Sequence, residues 1–229
     1  MTEREGSPYF LNTEINRENI ESIQFVKTTE FPEGAIDVSE AQNGSVMLWY
    51  IDSNQNELNE VTIGGIDGVL ANEDSSNLFA FMSKINLIDF SEFYTNGVIN
   101  MEDMFNKTGY YSSTFALDLG DHFNTSDVTN MNSMFSQTGY TNPNFILKLG
   151  DKFDTSNVRD MRSMFEFTGV SNPNFTLDLR TLTFNDAVAY TNLLPSFPSN
   201  NLLTVKNQTV KDFILTFVRS DLTNVQIAS

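Results

Sequence analysis

The chain has 229 residues, with 13 basic against 30 acidic side chains, a formal charge of −17, one histidine and no cysteine. That length supports a large core, and the missing cysteine excludes disulfides, thiol catalysis and cysteine-based zinc sites. Such acidity argues against nucleic acid, whose phosphates need clustered Lys and Arg, and against an anionic membrane surface.

Residues 1–7 are polar and hold no apolar run of signal-peptide length. Nowhere do about 20 apolar residues follow one another, so no membrane insertion is expected. Residues 1–76 read as a β-rich N-terminal cap. Short strands are predicted at 23–26 and 35–38. The runs 46–51 and 58–63 flank a polar loop as a hairpin, with the only tryptophan, Trp49, in its first arm. Asp52, Asn54 and Asn56 imitate the first ligands of a calcium loop. The loop's required glycine is replaced by Glu57 and its final glutamate by Ile63, so a solvated hairpin tip is expected, and no metal.

Residues 77–194 carry a repeat. Segments 101–130, 131–160 and 161–190 align without a gap; the first two share 15 of 30 positions and the last two 13 of 30. Self-similarity at this level dictates the architecture. In each unit Val128, Met131, Met134, Phe135 and their equivalents fall on one helical face. A helix of about 12 residues is predicted there, too short to stand alone. Thr125 and Ser126 would cap it and Gly139 would end it. Phe145, Leu147 and Leu149 alternate with Ile146 and Lys148 as a short strand, after turn chemistry at Asn142, Pro143 and Asn144. A degenerate unit precedes these, with Leu78 and Phe79 in the Met-Phe positions, Ile88-Asp89-Phe90 as its strand, and Thr95 and Val98 beyond. After Leu179 the pattern decays. Units of this kind must stack to close a core.

Residues 195–229 read as a small C-terminal cap. Pro195 and Pro198 mark a break; a strand follows at 202–205. Asn207 caps a helix carrying Val210, Phe213, Ile214 and Phe217, and a last strand lies at 225–227.

The run Phe123, Thr125, Ser126, Val128, Met131, Met134, Phe135 recurs as Phe153, Thr155, Ser156, Val158, Met161, Met164, Phe165. It resembles the signature of the BspA-type leucine-rich-repeat family of bacterial surface proteins. Asp37-Val38-Ser39, Ser45-Val46-Met47 and Ile63-Gly64 also resemble the β-rich segment found before such repeats. The resemblance implies a leucine-rich-repeat-like solenoid, although the 30-residue unit is longer than the family's usual one; with the strand-helix repeats read above, the expected fold is an α/β solenoid between the two caps. It also implies a place at the cell surface or outside the cell, and binding or adhesion without catalysis. Surface location rests on this resemblance alone.

Chemistry is sparse. Six of the nine methionines share the repeat's apolar face and read as core. His122 has Lys152 as its repeat equivalent, so that slot tolerates any long polar group. The carboxylates Asp118, Asp121, Asp151 and Asp178 recur with the scaffold, whereas a catalytic pair should be unique. The candidate binding face is the outward strand row Asp89, Asp118, Lys148, Asp178, with Ala116, Ile146 and Thr176 beside it. The same row also reads as a solvated ladder in which Lys148 is flanked by acids. The turns at Tyr110 and Tyr140 are the next place to look. The expected function is a non-enzymatic, cofactor-free adhesion module for a protein or glycan. The alternatives are a structural spacer in a larger surface protein and an acidic hydrolase.

Overall fold

The computed structural model describes residues 7–184, 188–194 and 201–228, without the side chain of Phe217. The break expected at Pro195 and Pro198 lies outside the described residues.

The repeated Met-Phe segments are not helices. Their backbone is a run of consecutive turns, in which alternate N–H groups point in different directions. Met104, Asn106 and Thr108 donate to the carbonyls of Met101, Asp103 and Phe105, closing three-residue turns. Met101, Asp103, Phe105 and Lys107 instead donate to Asn130, Asn132, Met134 and Ser136 of the next unit, at 2.8–2.9 Å. The same pattern joins each later unit to its successor, ending where Met161, Ser163 and Phe165 donate to Ala189, Thr191 and Leu193. A helix needs every N–H for its own i−4 carbonyl; here half of them are committed to a neighbouring unit.

This geometry demands left-handed backbone at fixed positions. Asn77, Asp103, Ser133, Ser163 and Asn192 share one such position, with φ of 53–59°. Phe81, Lys107, Gln137 and Phe167 share a second, and Gly109, Gly139 and Gly169 a third. Glycine is obligatory at the third for space as well: a Cβ on Gly139 would come within 2.2 Å of the Phe145 ring.

The expected solenoid of strand-helix repeats is therefore wrong, and so is the leucine-rich-repeat description that went with it. The fold is strand-rich, in several small sheets. The only α-helix among the described residues, α1 (Gln208–Phe213), lies outside the repeats. The spacing of Val128, Met131, Met134 and Phe135 misled because turns that bridge residues three apart bury the same positions as a helical face. All four are fully buried. Thr125 caps nothing; its buried hydroxyl donates to Asp154 O and accepts from Asp154 N, both at 2.7 Å, and so ties two units together. Thr108, Thr138 and Thr168 likewise donate to the Phe79, Phe105 and Phe135 carbonyls of the preceding units. Asn142 and Asn172 do the same to Phe115 and Phe145. These buried hydroxyls and amides are thus satisfied across unit boundaries.

The units stack in register, as identical sequences should. Phe79, Phe105, Phe135 and Phe165 form one column with ring centroids 5.3–5.5 Å apart and planes within 15°. Phe115, Phe145 and Phe175 form another at 5.9–6.1 Å.

Strands run along the other side of the stack. The N-terminal segment supplies β1 (Ile20–Lys27), β2 (Ile36–Asp37), β3 (Val46–Ile51), β4 (Asn59–Gly65) and β5 (Val69–Leu70). The repeat region adds β6 (Leu87–Asp89), β7 (Phe93–Tyr94), β8 (Leu117–Asp118), β9 (Leu147–Lys148) and β10 (Thr176–Asp178). β11 (Leu202–Val205) and β12 (Val225–Ile227) follow, with α1 between them capped by Asn207, whose side chain accepts from Val210 N. The largest sheet has the order β2-β3-β4-β1-β6, antiparallel at β2-β3-β4 and parallel beyond. It joins the N-terminal segment to the first repeat. β5-β7, β8-β9 and β10-β11-β12 are small parallel sheets, the last joining the repeats to the C-terminal segment.

The first unit has no predecessor to donate to its carbonyls, and Arg17 takes that role. Its guanidinium Nη1 donates to Asn77 O, Leu78 O and Ala80 O, each at 3.0 Å, and the side chain is buried beside Phe10. Leu78 and Ala80 stand where Met104 and Asn106 stand one unit later, and the latter accept from Phe79 and Phe81. The arginine thus stands in for a missing repeat.

Phe135→Ala should cost about 3–5 kcal/mol, because the ring has stacking partners on both sides and its loss leaves a cavity; urea denaturation measures this. Arg17→Met should cost about 1–3 kcal/mol or more through stranded carbonyls. Hydrogen exchange should then show faster opening at residues 75–83 than at 131–140. Uniform opening of both segments would show that Arg17 is not a local cap.

Candidate functional site

Two surfaces of the stack display side chains that the core does not need. The first is the outward side of the strands. Leu117 and Leu147 point inward and are buried, so Ala116, Asp118, Ile146 and Lys148 between them face out and are exposed. Thr176 and Asp178 do the same on β10, and Asp89 on β6.

The predicted row is present in pieces. Asp118 and Lys148 are register partners on β8 and β9, and Lys148 Nζ lies 2.9 Å from Asp118 Oδ2. Lys148 was expected to reach Asp178 as well. Asp178 instead belongs to a different sheet, beside Thr204, and its carboxylate is held by Arg180 at 2.6 Å. Burial raises the Asp178 pKa, but the hydrogen bonds from Arg180 outweigh it and hold the carboxyl below its ordinary value. Asp89 is the register partner of Gln24 on β1. Both ion pairs are more than half exposed on the basic side, so each is worth only about 0.2–1 kcal/mol.

At the C-terminal ends of β8, β9 and β10 these groups surround an open cleft of about 530 Å³. Asp118, Asp121, Lys148, Asp151, Asp178 and Arg180 line it. Gly120 and Gly150 form part of its floor with left-handed backbone, and a Cβ on Gly150 would come within 2.6 Å of Gly120 O. Each of the three strands contributes at least one charge, so the cleft exists only in the stack. Sequence reasoning missed Arg180, because it stands where the other two units carry Gly120 and Gly150.

The second surface lies on the turns. Tyr110 and Tyr140 stack at 4.7 Å with planes 4° apart, and Tyr111 meets Tyr110 edge-on. Desolvation, then the neighbouring phenols, raise the Tyr110 pKa. Phe81, Lys107, Tyr111, Gln137 and Glu18 close a smaller recess of about 230 Å³ beside them. Stacking covers one face of each of the two tyrosines.

The remaining candidates resolve into local structure. His122 packs on Tyr94 at 4.7 Å, beside a cluster in which Lys27 pairs with Glu92 at 3.0 Å and Tyr94 Oη donates to Glu92. Hydrogen bonds from Lys27 and then Tyr94 hold the Glu92 carboxyl below its usual value. The Asp52 carboxylate accepts from the Asn56 and Glu57 backbone amides, and the Asn54 and Asn56 side chains donate to Glu21. That loop is a turn pinned to β1. Among the described residues no group of three or more His, Asp or Glu is placed to hold a metal ion, and no helix is long and apolar enough to cross a membrane.

No curated protein and no solved structure matches the chain. A family model does match, over residues 73–202, which is the stacked region from the first turn unit to the start of β11. Those residues make up more than half of the 229, and the protein belongs to the family described as Mycoplasma protein of unknown function, DUF285.

Proposed function

We propose that the chain is a non-enzymatic binding module of a bacterial surface or secreted protein, recognising a protein or glycan through the outward face of its strands. The observation that carries this reading is the cleft at β8, β9 and β10, where side chains from three successive units meet in the open. Lys148 breaks what would otherwise be an acidic row, and it bonds across a unit boundary to Asp118. The resemblance of the Thr-Ser-x-Val-x-x-Met-x-x-Met-Phe runs to BspA-type surface proteins supports the surface location. The carboxylates of the cleft recur with the repeat, and the lone histidine packs on Tyr94, which supports recognition over hydrolysis.

A structural spacer is the second reading. Its support is the rigidity implied by two phenylalanine columns and by buried hydroxyls bonded between units.

Lys148→Glu separates these readings. The change replaces one ion pair with like charges between neighbouring strands. Stability should fall by no more than about 1 kcal/mol, and added salt should restore it. Capture on a panel of host-matrix proteins and glycans should fall much further than stability. Unchanged capture with a salt-sensitive melt would move the site to the Tyr110 and Tyr140 turns. Absence of capture by the unaltered chain would favour the spacer.

A further inference from the structure

We propose that the turn at Asn96 and Gly97 is a self-modification site, at which the Gly97 nitrogen closes on the Asn96 side chain, Asp127 takes the proton, and water converts position 96 to isoaspartate or aspartate. The inference is independent of the binding-module reading.

The chain contains two Asn-Gly steps, Asn43-Gly44 and Asn96-Gly97. A following glycine makes an asparagine reactive, because without a Cβ its backbone is free to bring the nitrogen onto the side-chain carbon. Asn43 and Asn96 are both exposed, and both glycines have left-handed backbone. At each step a carboxylate accepts from the glycine N–H: Asp37 Oδ2 from Gly44 at 2.8 Å, and Asp127 Oδ2 from Gly97 at 3.3 Å. The two steps differ in what else holds the reacting groups.

At the first step they are tied down. Asn43 Oδ1 accepts from Ser45 N at 3.1 Å and from Ser39 Oγ at 3.2 Å. The amide cannot turn toward Gly44 without breaking both bonds. Asp37 Oδ1 also accepts from the Ser39 hydroxyl and amide. Those bonds, the hydroxyl's first, hold its carboxyl below the ordinary value and make it a poor proton acceptor.

At the second step they are loose. Among the described residues the Asn96 side chain has no hydrogen-bond partner, and the Asp127 carboxylate accepts only from Gly97. The flanks of the turn are fixed instead. Val98 N donates to Thr95 O at 3.2 Å, Thr95 Oγ1 donates to Asn124 O at 2.8 Å, and both flanking residues are buried. A mobile amide thus stands beside a nitrogen whose proton already points at a carboxylate of the next unit. The later units carry Ser126-Asp127 and Ser156-Asn157 in these slots, so the site occurs once in the array.

The chemistry needs only water. Gly97 N gives its proton to Asp127 and bonds to Asn96 Cγ. The Cγ–Nδ2 bond breaks, and Nδ2 leaves as ammonia with the proton returned from Asp127. Water then opens the resulting succinimide. Attack at the side-chain carbonyl gives aspartate, and attack at the main-chain carbonyl gives isoaspartate. Either product sets a carboxylate near that of Asp127 at a unit boundary, where like charges repel. Isoaspartate also adds a methylene to the main chain between Thr95 and Val98.

The test is incubation of the full chain at neutral pH, with digestion and mass spectrometry at intervals to follow conversion at both asparagines. Position 96 should convert about tenfold or more faster than position 43, the worth of the bonds that hold Asn43. In urea, where the tertiary contacts are gone, the two rates should become similar. Asp127→Asn installs the residue that the third unit carries there, and a melt verifies that the fold is kept. It should slow conversion at 96 by at least about tenfold, as loss of a general base does, and leave 43 unchanged. Hydrogen exchange of the aged chain should quicken at residues 93–100. Similar native rates at the two positions, conversion at 96 confined to the urea sample, or an unchanged rate in Asp127→Asn each overturn the proposal.

Discussion

The fold depends on how half of the backbone N–H groups in the repeated segments are spent. Met101, Asp103, Phe105 and Lys107 donate along the stacking direction to the next unit, as do Ser75, Asn77, Phe79 and Phe81 before them and Met131, Ser133, Phe135 and Gln137 after them. The residues between them close their own turns. The carbonyls of Met101, Asp103 and Phe105 then accept within the turns, and those of Glu102, Met104 and Asn106 accept from Asn77, Phe79 and Phe81 of the preceding unit, as buried backbone groups require. No single unit could satisfy this arrangement, because its outward-pointing amides would have no acceptors. Stacking is therefore a condition for the local conformation, and not merely a way of burying the phenylalanines that the conformation exposes.

An arrangement of this kind creates an end problem, since the first unit has acceptors without donors. The solution is nonlocal. Arg17 brings a guanidinium to the carbonyls of Asn77, Leu78 and Ala80. Nearby, β1 extends the strand side of the stack by pairing with β6, and Phe25 of β1 packs against Phe79 and Phe93. Residues 7–76 are thus integrated with the first unit through hydrogen bonds, sheet and core together. At the other end β11 and β12 extend the strand side past β10.

The same regularity shapes the surface. A repeat displays identical side chains at identical positions, so departures from identity are what distinguish one part of the surface from another. Lys148 between Asp118 and Asp178 is one departure, and Arg180 in place of the glycines at 120 and 150 is another. Both place a cation among carboxylates of one cleft. The inward positions vary far less: the slots of Met131, Met134, Phe135, Thr138 and Phe145 hold through all three units, where the phenylalanines stack on their own copies and the threonine hydroxyls bond to carbonyls of the preceding unit.

What the amino-acid sequence determined by itself was the repeat, its length, its in-register stacking and its inward residues. Self-similarity guarantees these whatever backbone each unit adopts, which is why the columns through Phe135 and Phe145 could be anticipated. The helix could not be told from a run of turns, because both bury positions about three apart. The difference lies in where the N–H of residues such as Phe105 points, and that depends on a neighbouring unit. One signal of the turns was legible: Asn77, Asp103, Ser133, Ser163 and Asn192 are short polar residues at a left-handed position, the types that tolerate it best after glycine. Tertiary structure alone decided that Arg17 would cap the stack and that Asp178 would turn to Arg180 and not to Lys148. Arg17 and the carbonyls it meets lie 60–63 residues apart with no pattern between them, so only the packed backbone brings them together; Asp178 has Arg180 two residues away, and β10 pairs with β11 and not with β9, which leaves Lys148 to Asp118.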